Sequence, residues 1–153
     1  MEKFKVLDVS GDIGIEAYGA TARAAFVNAA AGMYSLITNP EAVREKKTIT
    51  ITTESISLEG LLVAWLNELI FHFDTYGFIG KRITVDEFTP SLAVSPEGRG
   101  GEKESYRIRA AVSGEGFDSG RHEGKLLIKA ATYHRLKVEK KDARWQIDVI
   151  FDI

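Results

Sequence analysis

Set on a helix of roughly 100° per residue, the stretch Leu58 to Phe73 (LEGLLVAWLNELIFHF) carries large apolar side chains on every side. Leu61, Leu62, Val63, Trp65, Leu66, Leu69, Ile70, Phe71 and Phe73 leave no broad polar face. It is shorter than the roughly 20 apolar residues of a membrane span, and Glu59, Asn67, Glu68 and His72 interrupt it, so the pattern predicts a helix buried inside a soluble domain. Asn67, Glu68 and His72 must then be hydrogen-bonded or face a cleft. Ser57 stands at the N-cap position, and Tyr76 and Gly77 close the segment. A second helical pattern covers Thr21 to Ile37, with Thr21 as N-cap, Phe26, Ala30, Met33 and Ile37 at helical spacing, and Asn39 and Pro40 as the stop. Its run Ala29, Ala30, Ala31, Gly32 has almost no bulk, so a neighbouring backbone can approach closely. The expected neighbour is the Leu58 to Phe73 helix.

Alternation with period two marks the strands. Phe4 to Leu7 and Ile13 to Tyr18 form the first pair, turned at Ser10 and Gly11, with Asp12 at a strand start and off the Ile13/Ile15 face. Lys47 to Thr53, Arg82 to Phe88 and a short Ser91 to Val94 follow, and Ser95 to Glu104 (SPEGRGGEKE) reads as a hairpin tip. Tyr106, Ile108, Ala110 and Val112 share one face of a longer strand, opposite Arg107 and Arg109. Lys125 to Thr132 and Tyr133 to Glu139 are strand-like, and Arg144 to Ile153 alternates Trp145, Ile147, Val149 and Phe151. The predicted fold is α+β: one domain over residues 1–153, with two main helices (about 21–37 and 58–74) forming a layer between mostly antiparallel sheets, in β/α/β order.

At 153 residues the chain can bury a core without staples. A net charge of -2 gives no case for unaided binding to nucleic acid or membrane, and the absence of cysteine excludes disulfides and thiolate zinc sites. The opening MEKFKVLDVS lacks an apolar signal core, which makes the cytoplasm the expected location.

Several groupings resemble chemical sites. EGRGGEK lacks the Ser/Thr and following helix of a phosphate loop and reads as a turn. Asp118, Ser119 and His122 lie within five residues, too close for triad geometry, so a capped turn is expected. Glu68 and His72, at i and i+4, are read as satisfying each other. Arg107, Arg109, Arg121, Lys125 and Lys129 are candidates for one basic sheet surface, either solvated or docking an acidic or RNA-bearing partner. Asp8 and Asp12 lie near the beginning, Asp148 and Asp152 near the end beside the carboxylate of Ile153. Carboxylate oxygens suit hard cations if a C-terminal strand runs beside the N-terminal hairpin.

The segments KFKVLDVSGDIGIEAYGAT, NAAAGMYSLITNPE, LEGLLVAWLNELIFHFDTYG, KAATYHRLKVEK and WQIDVIFDI, in order over nearly the whole chain, resemble the archease family. The resemblance implies a small non-enzymatic protein that activates the GTP-dependent RNA ligase of the RtcB type in tRNA splicing, promoting guanylylation and multiple turnover. RNA would be met only through the ligase. It also implies a metal site on Asp12, Asp152 and Ile153, with Ca²⁺ as the expected divalent cation and Mg²⁺ or Mn²⁺ as alternatives, and a partner contact at Lys129. The family's DHTADIGI stands here as DVSGDIGI, with Val9 for histidine and Gly11 for alanine. Two other classes remain: a small metal-dependent phosphoester hydrolase using Asp12, Asp152 and Glu68 or His72, and a chaperone-like binder acting through exposed apolar surface.

Overall fold

The computed structural model describes residues 2–94 and 102–153. Along these run β1 (Phe4–Val9), β2 (Asp12–Gly19), α1 (Ala22–Ile37), a 3-10 turn (Pro40–Ala42), β3 (Lys47–Ser55), α2 (Leu58–Tyr76) and β4 (Phe78–Val94). Then come β5 (Glu102–Gly116), β6 (Ala130–Ala131), β7 (Lys137–Lys141) and β8 (Arg144–Asp152). One antiparallel sheet has the order β1-β2-β8-β6, with β7 also paired to β8; the other has the order β3-β5-β4. Helix α1 touches β1, β2 and β8 of one sheet and β4 of the other, while α2 touches β3, β4 and β5 on one side and β6 and β7 on the other. The expected α+β arrangement, helices layered between sheets, is the observed one. No helix among the described residues is long and apolar enough to cross a membrane.

Both helices start as their sequences dictate. Thr21 Oγ1 accepts the Ala24 N–H (3.1 Å) and Ser57 Oγ accepts the Gly60 N–H (3.0 Å), each satisfying an otherwise orphaned donor. Gly77, with φ of 67°, ends α2 in the left-handed conformation that glycine adopts without penalty. At Gly32 the small-residue run of α1 meets the sheet: a Cβ there would lie 2.9 Å from Ile15 Cγ2 and 3.1 Å from Phe4 Cδ1. Side chains of β1 and β2 fill the space those residues leave. The helices meet instead at Trp65, fully buried, whose Nε1–H donates to the Phe26 carbonyl at 3.1 Å. Phe26 in turn stands edge-on to Phe88 of β4, with ring centroids 4.9 Å apart, so α1 is wedged between the sheets.

Three expectations are corrected. Phe71 is 50 % exposed, because Ala64, Asn67, Glu68, Phe71 and Thr75 form a stripe on the less covered side of α2. Arg82 to Phe88 and Ser91 to Val94 belong to one strand that begins at Phe78, since the Gly77 turn redirects the chain into the sheet without a loop; it has irregularities at Gly80/Arg82 and Val85/Glu87. Its pairing with β5 reaches Val94 and Glu102, and the tip expected over 95–104 lies mostly outside the described residues. Finally, Lys125 to Thr132 contributes only Ala130–Ala131 as strand, and Tyr133 to Leu136 is a turn. The apolar residues there pack without a ladder: the N–H groups of Lys125 and Leu126 bond to the carbonyls of Ile37 and Leu36 (both 3.0 Å), satisfying the end of α1, while Ile128 is buried.

This irregular segment is anchored by a buried group that sequence reasoning did not single out. Glu115, 4 % exposed, accepts the Arg44 N–H (2.7 Å), pairs closely with the Arg121 guanidinium, lies 3.9 Å from Lys46 Nζ and is 3.0 Å from His122 Nε2. His122 Nδ1 accepts the Asp118 N–H (2.8 Å), so Nε2 carries the proton and donates to Glu115. Asp118 Oδ1 accepts the Gly120 N–H (2.9 Å), which makes Asp118 to His122 the capped turn expected. The Arg121 hydrogen bond, opposed by burial and aided by the Arg44 amide and His122, lowers the Glu115 pKa from 4.5 to about 2. A carboxyl more acidic in the fold than in the unfolded chain adds stability that is fully present above the ordinary glutamate range and is lost as pH falls toward about 2. Glu115→Gln should therefore lower stability at neutral pH and flatten the decline on the acid side, measured by urea unfolding between pH 7 and pH 3. Parallel pH profiles for the two proteins would contradict this.

Candidate functional site

Strands β2 and β8, at the two ends of the chain, pair antiparallel with Ile13 opposite Phe151 and Ile15 opposite Val149. Ile15, Ala17, Ile147, Val149 and Phe151 are buried on the face toward the helices. Asp12 begins β2 one residue before the Ile13–Phe151 pair and Asp152 ends β8 one residue beyond it, both on the outward face by alternation. The chain is brought to this point by a tight hairpin: Ser10 (φ 54°) and Gly11 (φ 87°) connect Val9 to Asp12, its direct partner on β1. The Asp12 side chain is 53 % exposed and Asp152 is exposed, so the two form an open rim.

A third strand completes the rim. Ala130 of β6 stands opposite Asp152, and the Lys129 N–H donates to the Asp152 carbonyl at 2.8 Å. Asn67 of α2 fixes this strand: its Oδ1 accepts the Ala131 N–H (2.8 Å) and its Nδ2 donates to the Ala131 carbonyl (3.4 Å). The polar interruption of the apolar helix is thus a clamp on the strand beside Asp152. Past β6, the chain turns so that His134 Nε2 lies 3.7 Å from Asp12 Oδ2. His134 was not among the expected site residues, because Tyr133 to Glu139 reads as extended chain. Its proximity to Asp12 depends on the turn that breaks that run.

The other candidates are elsewhere. Asp8, opposite Ile13, belongs to the other face of β1 from the rim. Asp148 lies farther in, opposite Glu16, with its pKa raised by burial and by Glu16 against the hydrogen bond from Gln146. Glu68 and His72 pair with each other at 3.5 Å, partly exposed and not fully buried. The basic residues do not share one surface. Arg107 pairs with Glu54 (3.2 Å) and Glu87 (3.7 Å) and Arg109 with Glu87 (3.8 Å), whereas Arg121, Lys125 and Lys129 lie on the irregular segment.

Among the described residues no three His, Cys, Asp or Glu side chains converge on one point in a way that could hold a metal ion, so Glu68 and His72 do not join the rim to make a fuller site. The oxygens of Asp12, Asp152 and the Ile153 carboxylate are hard donors of the kind Ca²⁺ takes, on an open edge where water or a partner can supply the remaining positions. Their chemistry suits a hard cation and not a soft one.

The geometry defines a small β/α/β sandwich whose second and last strands pair beside an acidic rim. Residues 4–153 match the model of the Archease protein family (MTH1598/TM1083), and the chain belongs to that family. It is 32 % identical to the archease of Pyrococcus furiosus over the full length of both chains, and 32 % identical to that of Methanosarcina mazei over 99 % of this chain and 97 % of the relative. The solution structure of Methanobacterium thermoautotrophicum protein 1598 covers both chains completely at 26 % identity, with a TM-score of 0.75. A Thermotoga maritima crystal structure described as an archease, possible chaperone, shares the fold at 18 % identity and a TM-score of 0.59.

Because Asn67 holds both backbone groups of Ala131, Asn67→Ala should cost about 1–3 kcal/mol, the penalty for leaving buried polar groups unpaired. Hydrogen exchange at the Ala131 amide should accelerate more than the global loss accounts for. An Ala131 amide protected as in the parent protein would show that β6 does not depend on this clamp.

Proposed function

We propose that the protein is a non-enzymatic accessory factor, cytoplasmic, that binds an RtcB-type GTP-dependent RNA ligase and promotes its guanylylation and multiple turnover in tRNA splicing. A divalent cation, Ca²⁺ before Mg²⁺ or Mn²⁺, is held by Asp12, Asp152 and the carboxylate of Ile153. The observation that carries the reading is the β2–β8 pairing, which sets residues from the two ends of the chain opposite each other at an exposed edge. Family membership supports the same assignment.

The two aspartates supply hard oxygen donors and negative charge at the rim. Asn67 and β6 hold the Lys129 backbone against that of Asp152, and the exposed Lys129 is available to the partner there. His134 stands on the other side, against Asp12. When bound, the cation supplies positive charge that attracts phosphate or carboxylate oxygens of the ligase site. The chain contributes no nucleophile in this scheme, and RNA is contacted only through the ligase. A chaperone-like action is the second reading, favoured by exposed Ile56, Phe71, Tyr76, Leu127 and Tyr133 and by the description of the Thermotoga maritima relative.

With so few donors, affinity for Ca²⁺ should be weak, roughly 10⁻⁴–10⁻³ M by calorimetry, the range of sparsely ligated sites. Asp12→Asn and Asp152→Asn should each abolish stimulation in a multiple-turnover RNA-ligation assay while leaving thermal unfolding within a few degrees of the parent. Extra residues appended after Ile153 should weaken stimulation. Stimulation that survives both substitutions would sink the assignment of the rim.

A further inference from the structure

On the outer face of the sheet, beside the rim, lies a cavity of about 420 Å³ lined by Leu7, Val9, Leu136, Ile150, Asp148, Arg135 and Lys137. Its floor follows from the outward residues of β1 and β8, which flank β2. Gly14 stands between Leu7 on β1 and Ile150 on β8; a Cβ there would collide with the Val149 carbonyl and come 2.8 Å from Ile150 Cδ1, so the glycine lets the two strands approach and Ile150 lie over it. Val9 at one margin is the direct partner of Asp12, so the basin adjoins the rim. Across it, the turn after β6 supplies Arg135 and Leu136, and the start of β7 supplies Lys137.

The two cations differ. Lys137 is the register partner of Asp148, which it stabilises electrostatically. Arg135 makes no ion pair among the described residues, and it is held at φ 55°, a left-handed conformation that costs a non-glycine residue about 1 kcal/mol or more. A glycine would suit this backbone better. The strain is understandable if the guanidinium is needed at the mouth of the basin.

We propose that this basin docks a protein segment presenting an apolar side chain with a carboxylate beside it, the apolar group entering between Leu7, Val9, Leu136 and Ile150 and the carboxylate meeting Arg135. The volume exceeds that of a single side chain, so a short segment fits, and the unpaired guanidinium selects an anionic neighbour over a basic or neutral one. The inference rests on the accessory-factor reading for the identity of the partner, which is the ligase bound at the adjoining rim.

The test is equilibrium binding of the full-length protein to an RtcB-type ligase in the presence of Ca²⁺, with Ca²⁺ affinity measured separately by calorimetry. Leu136→Asp and Arg135→Gly should each weaken ligase binding about tenfold or more, as removal of a central anchor does, without changing Ca²⁺ affinity. Arg135→Gly also removes the backbone strain, so its Tm should equal or exceed that of the parent; this variant serves even if Leu136→Asp folds poorly. Parent-like ligase binding by Arg135→Gly overturns the basin while leaving the accessory-factor reading intact. A parent protein that shows no affinity for the ligase overturns both. If sedimentation shows that the parent self-associates and Leu136→Asp abolishes this, the basin is a contact between copies and the proposal fails.

Discussion

The antiparallel pairing of β2 with β8 is the constraint on which the rest of this molecule depends. It joins the second strand of the chain to the last, a contact between residues more than a hundred positions apart, and it is the centre of its sheet: β1 hangs on one side, β6 and β7 on the other. Its inner face contributes Ile15, Ala17, Ile147, Val149 and Phe151 to the core, all buried. Because strand side chains alternate, committing those residues inward commits Asp12, Gly14, Glu16, Asp148, Ile150 and Asp152 outward. Core, acidic rim and outer basin are therefore consequences of one register. A slip by a single residue would exchange them.

The helices then solve a spacing problem. Two sheets with helices between them must be held apart by bulky residues where there is room and let together where there is not. On α1, Phe26 reaches Phe88 of the far sheet, while Gly32 lets Ile15 and Phe4 of the near sheet come close. On α2 the buried polar groups are assigned to specific backbone partners. Trp65 donates to a carbonyl of α1, and Asn67 takes both backbone groups of Ala131. Burying a polar group without a partner is costly, so each of these sites specifies a contact as well as filling space.

Charge is distributed with the same economy. Arg107 and Arg109 on the outer face of β5 are matched by Glu54 and Glu87, and Arg121 is consumed by Glu115. Pairs exposed to solvent contribute little to stability, but they leave those surfaces without strong net charge. Near the meeting of β2 and β8 stand Asp12, with His134 beside it, Asp152 and, across the basin, Arg135. Unlike charges on one small area make a surface suited to a polar partner or ion.

Much of this could be read from the residues in order. Local signals placed the helix caps at Thr21 and Ser57, the stop at Gly77, the alternating face of β5 and the Asp118 turn, because each depends on hydrogen bonds or periodicity within a few residues. The acidic ends were visible as composition and as a family likeness. What the sequence could not show is anything decided by neighbours distant in the chain. The run from Lys125 to Glu139 is apolar enough for strands, yet Lys125 and Leu126 bond to the carbonyls of Ile37 and Leu36 at the end of α1 and the chain turns sharply at Arg135, so that the ladder on β8 is divided between Ala130–Ala131 and the residues from Lys137 onward. The approach of His134 to Asp12 and the separation of Asp8 and Asp148 from the rim likewise exist only once β1, β2, β6 and β8 lie side by side, and the buried Glu115 meets Arg44, Arg121 and His122 only when the segments before β3 and after β5 fold against the end of β5.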